Sequence, residues 1–180
     1  MRAYFFVNSA LSGIQKGLQV AHCVAEMGRQ SEAAYFRDSA REATGFTDWA
    51  ENHKTIIVLE GGFHAALDGI RYFLEAGKWC DVTEPPPPAD HFHCPYPWAS
   101  FTEDEETMNG MMTCVGIILP ERIYEAARAV RSKEGEFFPV PIDQPTKYVF
   151  CRNDFPTEDF TPWEVELIKL LNSCPLASFR

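Results

Sequence analysis

Ala3-Tyr4-Phe5-Phe6-Val7-Asn8-Ser9 is the stretch on which the fold turns. Residues 3–7 are apolar without a break. A strand with one wet face alternates polar and apolar side chains, so an unbroken run predicts a strand buried on both faces, the kind that opens an α/β sheet. A turn follows across Asn8–Gly13, and helical spacing begins at residue 14 and runs to residue 36. Ile14, Leu18, Ala21 and Ala25, with Met27 or Gly28, are the positions expected to face the sheet, and Ser12 is placed to cap the helix.

Outward from that unit the pattern repeats. Residues 37–53 are polar and mixed, with Trp49 expected to anchor a helix end. Lys54–Glu60 (KTIIVLE) reads as a second buried strand, punctuated by Gly61-Gly62. Phe63–Ala76 reads as an amphipathic helix with Ala66, Ile70, Phe73 and Leu74 inward, stopped by Gly77. Residues 79–82 offer a short strand. Residues 84–97 hold four consecutive prolines and read as an insertion, because proline cannot donate to a sheet ladder. Strands are expected at 98–102 and 113–119, with an acidic turn at Glu103–Glu106 and a helix at Glu121–Arg131. Residues 136–155 read as Pro-rich and extended. Thr161-Pro162-Trp163-Glu164 opens a last helix, with Thr161 as cap and Pro162 in the first turn. It ends near Cys174-Pro175. The order β-α-β-α-β-β-α predicts an α/β fold, a mixed β-sheet covered by helices. The expected division is a domain over 1–130, carrying the insertion at 84–97, and a C-terminal extension over 131–180 packed on it.

Composition sets the outer limits. The chain has 180 residues, 46% hydrophobic and 23% charged, enough to bury a core. No run of 18 apolar residues exists, so no membrane span is expected, and the first residues do not read as a signal peptide. Six cysteines stand without a disulfide-like spacing, which fits reduced thiols and a cytoplasmic location. The net charge of −10 argues against broad binding to nucleic acid, which needs Lys and Arg to neutralise phosphates. A local basic patch stays compatible with it.

Lys16-Gly17-Leu18-Gln19-Val20-Ala21-His22-Cys23 resembles the opening helix of the type 2 peptidyl-tRNA hydrolases, whose Q-V-A-H-like stretch is reproduced at Gln19–His22. The strand before it, the strand at Lys54–Leu59, the helix at Phe63–Ala76 and the T-x-x-G-I-like strand at Thr113-Cys114-Val115-Gly116-Ile117 follow that family's order. The resemblance spans roughly residues 1–125. It implies a three-layer fold and cleavage, with no metal or other cofactor, of the ester that joins a peptide to tRNA, or of a related aminoacyl or nucleotide ester. It also implies site residues. Lys16 is the candidate lysine, although without a gap Gln15 takes that position. Gln19 and His22 match the helix motif, and Thr113 matches the threonine. The family's aspartate has no clear counterpart; Glu103, Asp104, Glu105 and Glu84 stand as candidates. The insertion and the chain after about residue 130 lie outside the family pattern.

The chemistry an ester requires fits these residue types. A lysine at a helix start can stabilise an oxyanion or meet phosphates, helped by helix N–H groups. An acid such as Glu103 can orient water, Thr113 can fix it, and Asn109 can add a polar contact to substrate. Lys16, Gln19 and Cys23 share one helix face by spacing. His91, His93, Cys94 and Cys80 are zinc-ligand types without a known spacing. Phe92, Tyr96, Trp98 and Phe101 are residues on which bases can stack. A basic groove around Lys16, Arg29 and Lys54 would favour a tRNA substrate. The competing readings are an inactive module of the same fold that binds RNA, a nucleotide or a protein, and a protein-interaction or inhibitor role. A homodimer fits either reading.

Overall fold

A computed structural model describes residues 1–35, 45–77, 94–140, 147–153 and 155–178. The expected strand at 79–82 and most of the proline-rich stretch lie outside these residues. The chain forms two compact units, Met1–Leu119 with Pro175–Arg180, and Pro120–Cys174.

The first unit is an α/β fold built on a mixed four-stranded sheet in the order β2-β1-β4-β3. Its strands are β1 (Arg2–Asn8), β2 (Ile56–Gly62), β3 (Trp98–Thr102) and β4 (Met112–Leu119). β1 pairs parallel with β2 and antiparallel with β4. Its unbroken apolar run follows from this place, flanked by strands on both sides and covered on both faces. β4 is likewise buried along its whole length. β2 starts two residues later than its sequence implies, because Lys54 takes a left-handed backbone (φ 54°) that closes the helical turn Trp49–His53. Helix α1 (Gly13–Tyr35) covers one face, where Val20, Cys23 and Met27 meet Ala3, Phe5, Val7, Cys114 and Ile118. Helix α2 (His64–Ala76) covers the other, with Leu67, Ile70, Phe73 and Leu74 buried. Each such fully buried side chain contributes about 1.5–3 kcal/mol of transfer free energy. Gly77 ends α2 in a left-handed cap (φ 72°), as expected from its position.

α1 is turned relative to its apolar spacing. Ile14 and Leu18, expected to face the sheet, are 82% and 54% exposed, and Ala21 and Ala25 are exposed as well. The buried positions are Lys16, Gln19, Val20, Cys23, Met27 and Ser31. Both sets satisfy helical periodicity. Close packing at mid-helix decides between them, since Gly116 on β4 leaves room for Met27 and Phe5. A Cβ added there would lie 2.6 Å from an atom of each. Gly116→Ala is therefore expected to destabilise the first unit by about 1–3 kcal/mol through overpacking, read as a lowered denaturant midpoint at unchanged slope.

The second unit holds α4 (Glu121–Arg131), α5 (Pro162–Ser173) and an antiparallel sheet of β5 (Gly135–Pro139), β6 (Tyr148–Arg152) and β7 (Phe155–Phe160) in sequential order. The stretch read only as extended, 136–155, thus holds β5 and β6, and β7 continues the meander beyond it. Phe137, Phe150 and Phe160 cluster on it with ring centroids 5.0–5.9 Å apart. Thr161 and Glu164 form a capping box with Pro162 in the first turn of α5. Arg122 meets the buried Glu164 carboxylate and lies over the Phe160 ring.

Candidate functional site

The carboxyl ends of β1, β2 and β3 and the start of β4 lie at one edge of the first sheet, because β4 runs antiparallel to β1 and β3. The β1–α1 turn opens there. Asn8, fully buried, fixes that turn: its Oδ1 accepts from Ala10 N–H (3.0 Å) and its Nδ2 donates to Met112 O (3.0 Å). Ser12 Oγ accepts a long bond from Gln15 N–H (3.5 Å), and Gln15 Oε1 accepts from Ser12 N–H (2.9 Å). This reciprocal cap starts α1 as expected of Ser12 and engages the Gln15 side chain in the helix itself.

One turn into α1, Lys16 is 5% exposed. Its Nζ donates to Glu60 Oε1 (2.5 Å) and to Ser178 O (3.3 Å). Glu60, at the end of β2, also accepts from Ser9 Oγ (2.9 Å) and Ser178 N–H (3.1 Å). Burial raises the Glu60 carboxyl, but the hydrogen bonds from Lys16, Ser9 and Ser178, with the Lys16 charge, outweigh burial and hold it below the usual carboxylate range. A depressed folded value contributes stability that is present above the unfolded value of about 4.3 and is lost as pH falls through the folded one. The stability difference between wild type and Glu60→Gln, measured by denaturant unfolding, is accordingly expected to hold from pH 7 to about 5 and to shrink below about 4.

The next turn of α1 carries a second network. Gln19 Nε2 donates to Glu103 Oε1 (2.6 Å), and Gln19 Oε1 accepts from Thr113 Oγ (2.9 Å). The Thr113 proton is shared with Phe101 O (3.2 Å). The direction of this chain is fixed chemically: a carboxylate only accepts, so the amide nitrogen faces Glu103 and the amide oxygen faces the hydroxyl. Thr113 reaches α1 through a β-bulge. Phe101 pairs with Cys114 and Thr102 with Met112, leaving Thr113 as the extra residue. A bulge breaks strand alternation, so Thr113 and its neighbour Cys114 both serve the α1 face. Thr113 is fully buried and Gln19 nearly so, whereas Glu103 is half-buried. Its Oε2 has no protein partner among the described residues. The arrangement holds one carboxylate oxygen and leaves the other unbonded to the described residues.

Sequence reasoning missed Glu60 and His64. His64 opens α2, and its Nδ1 accepts from Met112 N–H (3.0 Å), so the neutral ring carries its proton on Nε2. A signal existed for Glu60, an acid ending an apolar strand, but its partner is 44 residues away. The other candidates sit as follows. His22 stacks on Phe101 (centroids 4.6 Å apart, planes at 22°). Asn109 takes a left-handed backbone (φ 52°) that closes the acidic turn, where Glu105–Met108 forms a short helix, α3. Asp104 precedes that turn and Glu105 lies in it, both exposed. Glu84 lies outside the described residues. Arg29 pairs with Glu26, some 13 residues along α1 from Lys16, about 20 Å at helical rise. Lys54 precedes β2, at the opposite end from Glu60. The three cations do not form one groove.

Of the zinc-ligand types only Cys94 is described, and its thiol donates to Tyr96 O. Among the described residues no three His, Cys, Asp or Glu side chains gather as a metal cluster. Phe92 lies outside them, and Tyr96, Trp98 and Phe101 are half-buried. Burial and the adjacent Cys23 thiol push the Cys114 thiol far above its ordinary range, so that thiol is core and not a nucleophile. No helix among the described residues is long and apolar enough to cross a membrane. No protein-family model, no curated protein and no solved structure matches the chain.

Proposed function

We propose that the sheet edge at the start of α1 is the active site of a hydrolase that cleaves the ester of peptidyl-tRNA or a related aminoacyl or nucleotide ester, as the resemblance to type 2 peptidyl-tRNA hydrolases implies. The observation that carries this reading is the Thr113–Gln19–Glu103 chain, which aims a half-buried carboxylate from the same helix face that holds Lys16. Glu103 Oε2 takes a proton from water as its oxygen adds to the ester carbonyl carbon. The tetrahedral oxyanion is met by the remaining N–H of Lys16, whose other donors serve Glu60 and Ser178. The intermediate collapses with loss of the ribose oxygen, which takes the proton back from Glu103. Thr113 and Gln19 act as positioning residues. The test is release of peptide from an N-blocked aminoacyl-tRNA. Wild type is expected to turn over, and Lys16→Ala to lose most of that activity while keeping its circular dichroism.

A second reading, an inactive module binding RNA, a nucleotide or a protein partner, is favoured by one observation. The Lys16 charge is neutralised by Glu60, and the four acids of Glu103–Glu106 stand at the same edge with no cationic groove among the described residues, which gives tRNA phosphates little attraction there. A folded wild type with no turnover would select it. A cytoplasmic location suits both readings.

A further inference from the structure

β2 is an outer strand, with β1 on one side only. Its free side is occupied by the chain's own segment Pro175–Ser178. Glu60 N–H donates to Pro175 O (2.9 Å), Ala177 N–H donates to Val58 O (2.9 Å), and Leu59 bridges Leu176 in antiparallel sense. One residue further on, the Lys16–Glu60 pair reads both polar groups of a single residue. Ser178 N–H donates to Glu60 Oε1 (3.1 Å) and Ser178 O accepts from Lys16 Nζ (3.3 Å). Every one of these bonds is to backbone. Leu176 is 69% exposed, Ser178 is exposed, and Ala177 packs, half-buried, on the core.

We propose that the outer edge of β2, together with the Lys16–Glu60 pair, is a binding site for the backbone of an extended peptide, and that Pro175–Ser178 is its built-in competitor. The ligand class follows from the contacts. Main-chain pairing on a sheet edge supplies affinity for any extended segment, and the side-chain pockets supply selectivity. Here the one restricted position is that of Ala177, which takes a small residue. Being part of the same chain, the segment competes for the edge with the advantage of a tether. A tether supplies an effective concentration in the millimolar range, which an outside peptide must overcome. The site stands whether or not an ester is cleaved beside it. If one is, the peptide half of the substrate has a track along β2.

The test uses the full chain and a fluorescent, end-capped peptide of sequence Pro-Leu-Ala-Ser-Phe-Arg, a copy of residues 175–180. Ala177→Pro removes the N–H that bonds Val58 and opens the edge. The peptide is expected to bind this variant at least about tenfold more tightly than wild type, given the tethered competitor in the latter. Adding Lys16→Met should remove most of that gain. A folded Ala177→Pro that binds no better than wild type would overturn the proposal, as would an unchanged affinity after Lys16→Met. Hydrogen exchange on the wild-type chain guards against a variant that fails to fold. The Ala177 amide is expected to exchange at least about a hundredfold faster than those of Phe6 and Val7, through local opening. Equal protection would mean the segment is a fixed strand and would also overturn the proposal. No ester enters these measurements, so their failure is distinct from failure of the hydrolase reading.

Discussion

Glu60→Ala is expected to destabilise the first unit by about 2–4 kcal/mol, lowering its thermal midpoint by about 5–15 °C. The reason is what the substitution leaves behind. Lys16 has a side chain only 6% exposed, and among the described residues its one charged partner is Glu60. Without that partner the ammonium keeps one backbone carbonyl and little water. Removing one member of a fully buried pair costs about 3–5 kcal/mol. The expected figure is lower because Glu60 keeps 20% exposure and water can enter its place. The double change Lys16→Met/Glu60→Leu removes both charges and should regain much of the loss, since an apolar pair of similar volume avoids the desolvation cost. Thermal unfolding of the single and double variants checks this. A double variant no more stable than Glu60→Ala would show that packing, and not the stranded charge, governs the effect.

On the proposed hydrolase reading, Glu103→Gln is expected to lower kcat/KM for peptide release by about 10²–10⁴, the usual contribution of a positioned general base. Its amide fills the same space and can still bond Gln19, so stability should change little. Thr113→Val should act differently. It removes the hydroxyl that fixes Gln19, frees the amide to rotate, and leaves a nearly buried Gln19 oxygen without its donor at a cost of about 1–3 kcal/mol. Its effect on activity should be about fivefold, because a single positioning bond is worth about 1 kcal/mol. Steady-state kinetics beside denaturant unfolding separates the two: one variant loses chemistry at constant stability, the other loses some of each.

How far the sequence carried the fold depends on how local the determinants are. β1 and β4 were legible because a doubly covered strand must be apolar at every position. α2 and α5 were legible because Gly77, Thr161 and Pro162 mark their ends within one turn. The face of α1 was not. Ile14, Leu18, Ala21 and Ala25 have the spacing of a core stripe, yet the buried stripe holds Lys16 and Gln19. Those polar residues are tolerable inside only because Glu60, Glu103 and Thr113 arrive from 44, 84 and 94 residues away. Glu60 was overlooked for the same reason. The bulge that turns Thr113 toward α1 is a property of strand pairing and leaves no local mark. β5 and β6 were read as extended but not as strands of a sheet, and β7, almost wholly beyond that stretch, was not read at all, since the aromatic cluster joins residues 137, 150 and 160 across prolines that hide the strand pattern. The candidate site was therefore readable as a list of residue types at the start of α1. Its connectivity, with Gln19 bridging Thr113 and Glu103 and Lys16 held by Glu60, needed the fold.

The most direct measurement is single-turnover release of peptide from an N-blocked aminoacyl-tRNA by wild type and by Glu103→Gln, each with its folding checked by circular dichroism. The hydrolase account predicts turnover by wild type and a loss of at least about a hundredfold in the variant. Absence of turnover by folded wild type, or equal turnover by both proteins, would contradict it.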